Sequence, residues 1–242
     1  MNKIIPLWSI PRSVSTGFER MMMERGDFKV IHEPFSYFFY AKEQAAAAVG
    51  MNVDPDHPQD FDDILEMIRR EAESKPVFFK DMSYHPFSRT DEDFLRIFEN
   101  TFIIRDPAIT LISHYKLNPD FTLTEAGYEP QFKMYEMVKK ITGQEPAIVD
   151  AEDLIENPFT VVKGYCEKVN IPFMPESLTW GAEFKPEWKT WEVWHLDAAK
   201  STGFIKDMEP FDFTVQDVPR LAEMYEQCMP FYQALYEQRV RP

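Results

Sequence analysis

Lys3-Ile4-Ile5-Pro6-Leu7-Trp8-Ser9-Ile10-Pro11-Arg12-Ser13-Val14-Ser15-Thr16-Gly17-Phe18 opens with an apolar run and enters a hydroxyl-rich turn. It ends inside a helical pattern that spans Ser15–Arg25. A strand that feeds a helix through a turn leaves the helix's first backbone N–H groups without intrahelical partners. Those groups, with a cation and hydroxyl donors beside them, make a site for an anion. Here the cation is Arg12 and the hydroxyls belong to Ser13, Ser15 and Thr16. The nucleoside triphosphate loop G-x-x-x-x-G-K-[ST] is absent.

Beyond this stretch, short apolar runs alternate with helical patterns. Strands are expected at Lys3–Ser9, Phe28–His32, Pro76–Lys80, Thr101–Arg105 and Ala147–Asp150. Helices are expected at Ser15–Arg25, Tyr37–Ala48, Phe61–Ser74, Asp91–Asn100, Pro107–Leu117, Gln131–Thr142, Pro158–Val169 and Pro219–Val240. Val77-Phe78-Phe79 and Phe102-Ile103-Ile104 are apolar throughout, as strands covered on both faces are. The pattern predicts an α/β fold: a three-layer sandwich with a central parallel sheet. One domain is expected over residues 1–242, with a C-terminal helical segment from about 214. Asp106-Pro107 and Asn157-Pro158 read as helix caps followed by proline. Pro230 is expected to kink or split the last helix, and Val49–Asp60 reads as a loop or insertion.

The 26 Lys and Arg against 41 Asp and Glu leave a net charge of −15, which argues against nucleic acid and anionic membranes as partners. An anion site must therefore concentrate its few cations locally. Cys166 and Cys228 lie in helical patterns without metal-type spacing and read as free thiols, which fits a reducing compartment. The first apolar run is too short for a signal peptide, and no run approaches the ~20 residues of a membrane span. A soluble, cytoplasmic protein is the expectation.

Ligands of open parallel sheets bind beyond the carboxyl ends of the strands. The residues there are Pro11-Arg12-Ser13, Glu33-Pro34-Phe35, Asp81-Met82-Ser83-Tyr84-His85, Arg105-Asp106-Pro107 and Ala151-Glu152-Asp153. Pro11-Arg12-Ser13-Val14-Ser15-Thr16 resembles the 5′-phosphosulfate loop of sulfotransferases that use 3′-phosphoadenosine-5′-phosphosulfate (PAPS). Three later segments resemble the same family in the same order. In the first, Arg105 ends a strand and Ser113 follows eight residues later on a helix, as in the family's 3′-phosphate motif. In the second, Ile148–Pro158 is similar to the strand-E-D-L-x-x-N-P-helix segment. In the third, Lys200-Ser201-Thr202-Gly203 resembles the late loop that closes over the 3′-phosphate. Val14 stands where the family has glycine, so the backbone there is not expected to adopt a glycine-only conformation. Gly17 stands where many members carry an aromatic that stacks on adenine, so that stacking must come from elsewhere.

The resemblance implies a P-loop-like sulfotransferase fold and transfer of a sulfuryl group from PAPS to a hydroxyl or amine of a small-molecule acceptor. It places Arg12 at the bridging oxygen and Ser13, Ser15 and Thr16 on the 5′-phosphate. Arg105, Ser113 and the loop Lys200, Ser201, Thr202 and Gly203 go to the 3′-phosphate. Two residues compete as the base. Glu33 would need a pKa raised by partial burial, whereas histidine, the residue type at 85, is by nature poised near neutrality. Lys80 either touches the transferring group or snorkels from the strand end. Phe35–Tyr40 and Trp188–Trp194 are core or acceptor wall; an acidic chain with aromatic walls also suits a cationic acceptor. His32, His57, His114 and His195 show no metal-ligand spacing, and no metal is expected. Two rival readings are a catalytically silent nucleotide-binding module, which Val14 favours, and an ATP-dependent small-molecule kinase, which the missing Gly-Lys-Ser/Thr loop disfavours. The acceptor and the oligomeric state are not legible.

Overall fold

The opening run forms β1 (Ile4–Ser9), all six residues of which are buried. The structure is a computed structural model that describes residues 2–43, 51–52, 54–204 and 211–242. β1 is the middle strand of a sheet completed by β2 (Lys29–His32), β3 (Val77–Met82), β4 (Thr101–Ile104) and β5 (Ala147–Asp150). The order is β2-β3-β1-β4-β5, and every pairing is parallel. Ile4 lies opposite Val77, and Leu7 opposite Thr101.

The longer helices are α1 (Ser15–Arg25), α2 (Phe61–Ser74), α3 (Pro107–Leu117), α4 (Tyr128–Thr142), α5 (Pro158–Lys168) and α6 (Pro219–Tyr236). Successive strand side chains point to opposite faces, and here both faces are covered. Ile4, Trp8, Phe79, Phe102 and Ile148 pack with Ile64 and Ile68 of α2 and with Met134 and Val138 of α4. Ile5, Leu7, Phe78, Ile103 and Val149 pack with Phe18 and Met22 of α1 and with Val161 and Tyr165 of α5. This is the three-layer arrangement the unbroken apolar runs predict. A third cluster joins Leu111 and Ile112 of α3 to Leu221 and Met224 of α6.

Several elements differ from expectation. β3 runs through Asp81 to Met82, because Trp8 and Ser9 pair with those residues. The helix expected over Asp91–Asn100 is only Glu92–Leu95. Asn100 Nδ2 donates to the carbonyls of Leu95 and Phe98, while its Oδ1 accepts from Trp8 Nε1, and these bonds replace the helical ladder. In place of one helix from Tyr37, a short turn at Ser36–Phe38 leads into π-helical backbone over Phe39–Glu43. Residues 44–48 lie outside the described residues. Asp106 caps α3 by accepting from the Ala108 N–H, but the Asn157 side chain makes no cap bond to α5. α6 passes through Pro230 as one helix. Pro230 and Glu226, the residue whose carbonyl loses its partner, are both exposed, so water can replace the missing bond. No helix among the described residues is long and apolar enough to cross a membrane.

Candidate active site

A cavity of about 800 Å³ opens beyond the carboxyl ends of β1, β3 and β4. Its walls include the whole turn Pro11–Gly17, Arg105, Ser113 and the segment Lys200–Phe204. Glu33, Lys80, Tyr40, Tyr84, His85, Trp191 and Trp194 line it as well. All the predicted site residues thus reach one cavity, although they come from segments spread over about 190 positions.

The turn after β1 is built on strained backbone. Arg12 and Val14 both have φ of +64°, and Val14 is the N-terminal flank of α1 with ψ of 12°. This overturns the expectation for Val14: a β-branched residue holds the left-handed conformation that favours glycine. Alternating backbone hands turn successive N–H groups toward one point, the geometry of an anion nest. Strain of this kind is retained where the surroundings enforce it. Ser13 is buried, and its hydroxyl donates to the Ile10 carbonyl at 2.7 Å, so that hydroxyl braces the turn. Ser15 and Thr16 line the cavity.

Arg12 turns toward α3. Its Nε donates to Ser113 Oγ at 2.8 Å, with longer bonds from its other nitrogens to the Trp194 carbonyl and Asp197. Arg105 is buried, bonds Glu152 Oε1 from Nε at 2.9 Å, and donates from Nη1 to the Arg12 carbonyl. The late loop is anchored through its backbone and Ser201. Trp180 N donates to the Thr202 carbonyl, Thr179 bridges Gly203, and Trp180 Nε1 donates to Ser201 Oγ. Phe204 packs where a Cβ on Gly17 would meet it at 3.6 Å, so the space the glycine leaves is filled by an aromatic from the far end of the chain.

The two base candidates sit in different surroundings. Glu33, at φ of +41°, is buried and ion-paired with Lys80 Nζ. Burial pushes its carboxyl up, but Lys80, His32 and His85 together outweigh that and hold it at about 2. The raised pKa that a Glu33 base requires is therefore replaced by the opposite shift. Lys80 is fully buried in that pair, so it does not snorkel. His85 Nδ1 lies 2.6 Å from Asp81 Oδ1, while its Nε2 is buried without a hydrogen-bond partner. Asp81 also accepts from the Phe35 N–H at 2.7 Å. Burial raises the Asp81 pKa, and His85 offsets part of that rise.

The chain matches the sulfotransferase domain family over residues 2–239. It belongs to that family. Two Arabidopsis thaliana proteins, branched-chain-amino-acid aminotransferase-like proteins 2 and 1, are each 27% identical to it, over 244 and 245 residues. Each alignment covers 96% of this chain and 41% of the relative, so the chain spans about two fifths of the length of these relatives. The sulfotransferase domain of the Synechococcus PCC 7002 olefin synthase superposes with a TM-score of 0.56 at 17% identity, covering 93% of this chain and 94% of that one. That likeness is one of fold.

Within this sulfotransferase domain lies a buried chain of polar groups that the sequence reading missed. Glu19, His32 and His195 form a hydrogen-bonded line that reaches Thr16, with His195 itself at the cavity wall, and His32, Glu33 and His195 offer ligand atoms within 4.8 Å of one another. The two imidazoles bond each other directly and Glu33 is engaged by Lys80, so these atoms already have partners of their own. Residues 19, 32 and 195 carry no spacing signal; only the sheet brings α1, β2 and the 186–195 segment together. Of the tryptophans, Trp188 is buried against Glu19, whereas Trp191 and Trp194 face the cavity.

Proposed function

We propose that the protein is a PAPS-dependent sulfotransferase that acts on a hydroxyl or amine of a small-molecule acceptor. The observation that carries this reading is the convergence of Arg12–Thr16, Arg105, Ser113 and Lys200–Gly203 on the cavity that also receives His85. Sulfuryl transfer, like phosphoryl transfer, is in-line displacement in which charge builds on the leaving oxygen. Positioning and electrostatic stabilisation do most of the work. Arg12 stabilises the departing phosphate oxygen, Ser15 and Thr16 hold the 5′-phosphate, and Arg105 with the late loop holds the 3′-phosphate.

His85 is the base in this proposal. Asp81 fixes the proton on Nδ1, which leaves the Nε2 lone pair for the acceptor's proton. The acceptor's oxygen or nitrogen forms its bond to sulfur as the bond from sulfur to the nucleotide oxygen breaks. The proton passes to His85 Nε2. Glu33 keeps Lys80 in place beside the cavity. Phe204 supplies the aromatic surface that Gly17 does not. A cytoplasmic setting fits the two buried free thiols.

The strained Val14 supports a second reading, a nucleotide-binding module without turnover. Calorimetric titration with adenosine 3′,5′-bisphosphate, followed by transfer assays with labelled PAPS over a broad acceptor panel, tests both. Binding and transfer are expected. Binding without transfer leaves the silent module, and no binding removes both.

A further inference from the structure

Beneath the phosphosulfate turn, four side chains form a continuous hydrogen-bonded line. Glu19 of α1 approaches His32 Nδ1 with both carboxylate oxygens, at 2.8 and 3.0 Å. His32 Nε2 lies 2.9 Å from His195 Nε2, and His195 Nδ1 lies 3.2 Å from Thr16 Oγ1. Trp188 Nε1 donates to Glu19 at 3.0 Å. Glu19, His32 and His195 are all buried, and Thr16 lines the cavity.

With His195 kept neutral by its burial, proton counting restricts this line to two states. The Glu19 carboxylate accepts, so His32 Nδ1 carries a proton. Only one proton fits between the two Nε2 atoms. If it belongs to His195, then His32 is neutral, His195 Nδ1 is bare, and Thr16 spends its hydroxyl proton on His195. If it belongs to His32, that ring is an imidazolium paired with Glu19. His195, still neutral, then carries its proton on Nδ1 and donates to Thr16 Oγ1. The Thr16 hydroxyl proton is released toward the cavity. The second state holds one proton more than the first. An anion in the turn offers only acceptors, so it selects the second state.

We infer that Glu19, His32 and His195 are positioning residues that orient the Thr16 hydroxyl, and that anion binding in the turn takes up one proton on this line. The inference rests on the reading of the turn as the donor's phosphate cradle. The groups facing the histidines are Glu19 from α1, Glu33 at the end of β2, Lys80 from β3 and Arg12 from the turn, with the Trp188 indole N–H. Burial together with His32, Lys80 and Arg12 drives the His195 pKa well below its ordinary value, which keeps that ring neutral in both states. Glu33, held at about 2, does not titrate in the range concerned.

Sulfate is the direct probe, because its charge is constant above pH 4 and any proton taken up belongs to the protein. In wild-type protein, sulfate affinity should fall as pH rises, with a slope of at most one proton. Calorimetry in buffers of different ionisation enthalpy should show proton uptake on binding. Nitrogen NMR of labelled histidine should report His195 protonated on Nε2 when free and on Nδ1 when sulfate is bound. Glu19→Gln removes the imidazolium's counter-charge, and Thr16→Val removes the end of the line. Each should flatten the pH dependence and weaken adenosine 3′,5′-bisphosphate roughly tenfold, the cost of a charge-assisted hydrogen bond. Thr16→Ser should restore both. An unchanged His195 tautomer, or a wild-type pH profile in Thr16→Val, overturns the inference. So does stoichiometric zinc between the imidazoles of the purified protein. Wild-type protein that ignores both sulfate and the bisphosphate overturns the cradle itself, a result distinct from binding that lacks proton uptake.

Discussion

Arg12 Nε donates to Ser113 Oγ across 2.8 Å, so two residues assigned to opposite ends of one donor nucleotide hold each other in the cavity. The bond joins the turn after β1 to the second turn of α3, 101 positions later. The bond uses only the Nε–H of Arg12. Its Nη1 and Nη2 make the longer bonds to the Trp194 carbonyl and Asp197, and these are the donors a leaving oxygen would draw on.

Removing the guanidinium should cost turnover more than binding. Arg12→Ala is expected to lower kcat at least ~100-fold, the usual loss when an oriented transition-state donor is deleted. Ser113→Ala should instead weaken adenosine 3′,5′-bisphosphate about tenfold and spare most of kcat. Steady-state transfer assays paired with calorimetry separate the two. An Arg12→Ala enzyme with normal kcat removes Arg12 from the chemistry.

His85 and Glu33 can be separated in the same way. His85→Gln removes the lone pair that Asp81 orients and should lower kcat by roughly 10²–10⁴. Bisphosphate affinity should stay within about twofold of wild type. Asp81→Asn should cost a comparable factor through the wrong tautomer, with the added loss of a charged acceptor for the Phe35 N–H. If His85→Gln turns over normally, the base lies elsewhere.

The Glu33–Lys80 pair should be visible in acid. The folded pKa of Glu33, about 2, lies below its ordinary 4.5, so the pair stabilises the fold fully above pH 4.5. That stabilisation is lost as pH falls toward 2, and the shift corresponds to roughly 3 kcal/mol at neutral pH. Glu33→Gln should remove this acid-sensitive component. It should also destabilise by about 3–5 kcal/mol at pH 7, since it strands the fully buried Lys80. Urea unfolding at a series of pH values measures both effects.

The sheet and most of the cavity wall were legible because they depend on local pattern. Phe102-Ile103-Ile104 has no polar face, so it has to be covered twice, and Arg105 follows it at the ligand edge. The fate of Glu33 was not legible. Its position after β2 was evident, but its pKa is set by Lys80 in the neighbouring strand through the register His32 opposite Lys80. The extension of β3 to Met82 was hidden for the same reason, since pairing with β1 overrides the polar character of Lys80-Asp81. His195 and Glu19 gave no signal because each meets His32 through tertiary packing alone.

Val14 offers a test of stored strain. At φ of +64° a valine carries a cost of about 1–2 kcal/mol that glycine avoids. Val14 Cγ1 also packs near Gly17, and the side chain sits against the cluster under α1, so part of the gain from substitution is lost again. Val14→Gly should therefore stabilise by no more than about 1 kcal/mol, read as a small rise in Tm. Because glycine can reach other backbone regions, the nest of N–H groups is less rigid in the variant. Bisphosphate affinity should stay the same or fall slightly while stability rises. A Val14→Gly protein that is less stable than wild type would show that the valine's packing outweighs its backbone strain.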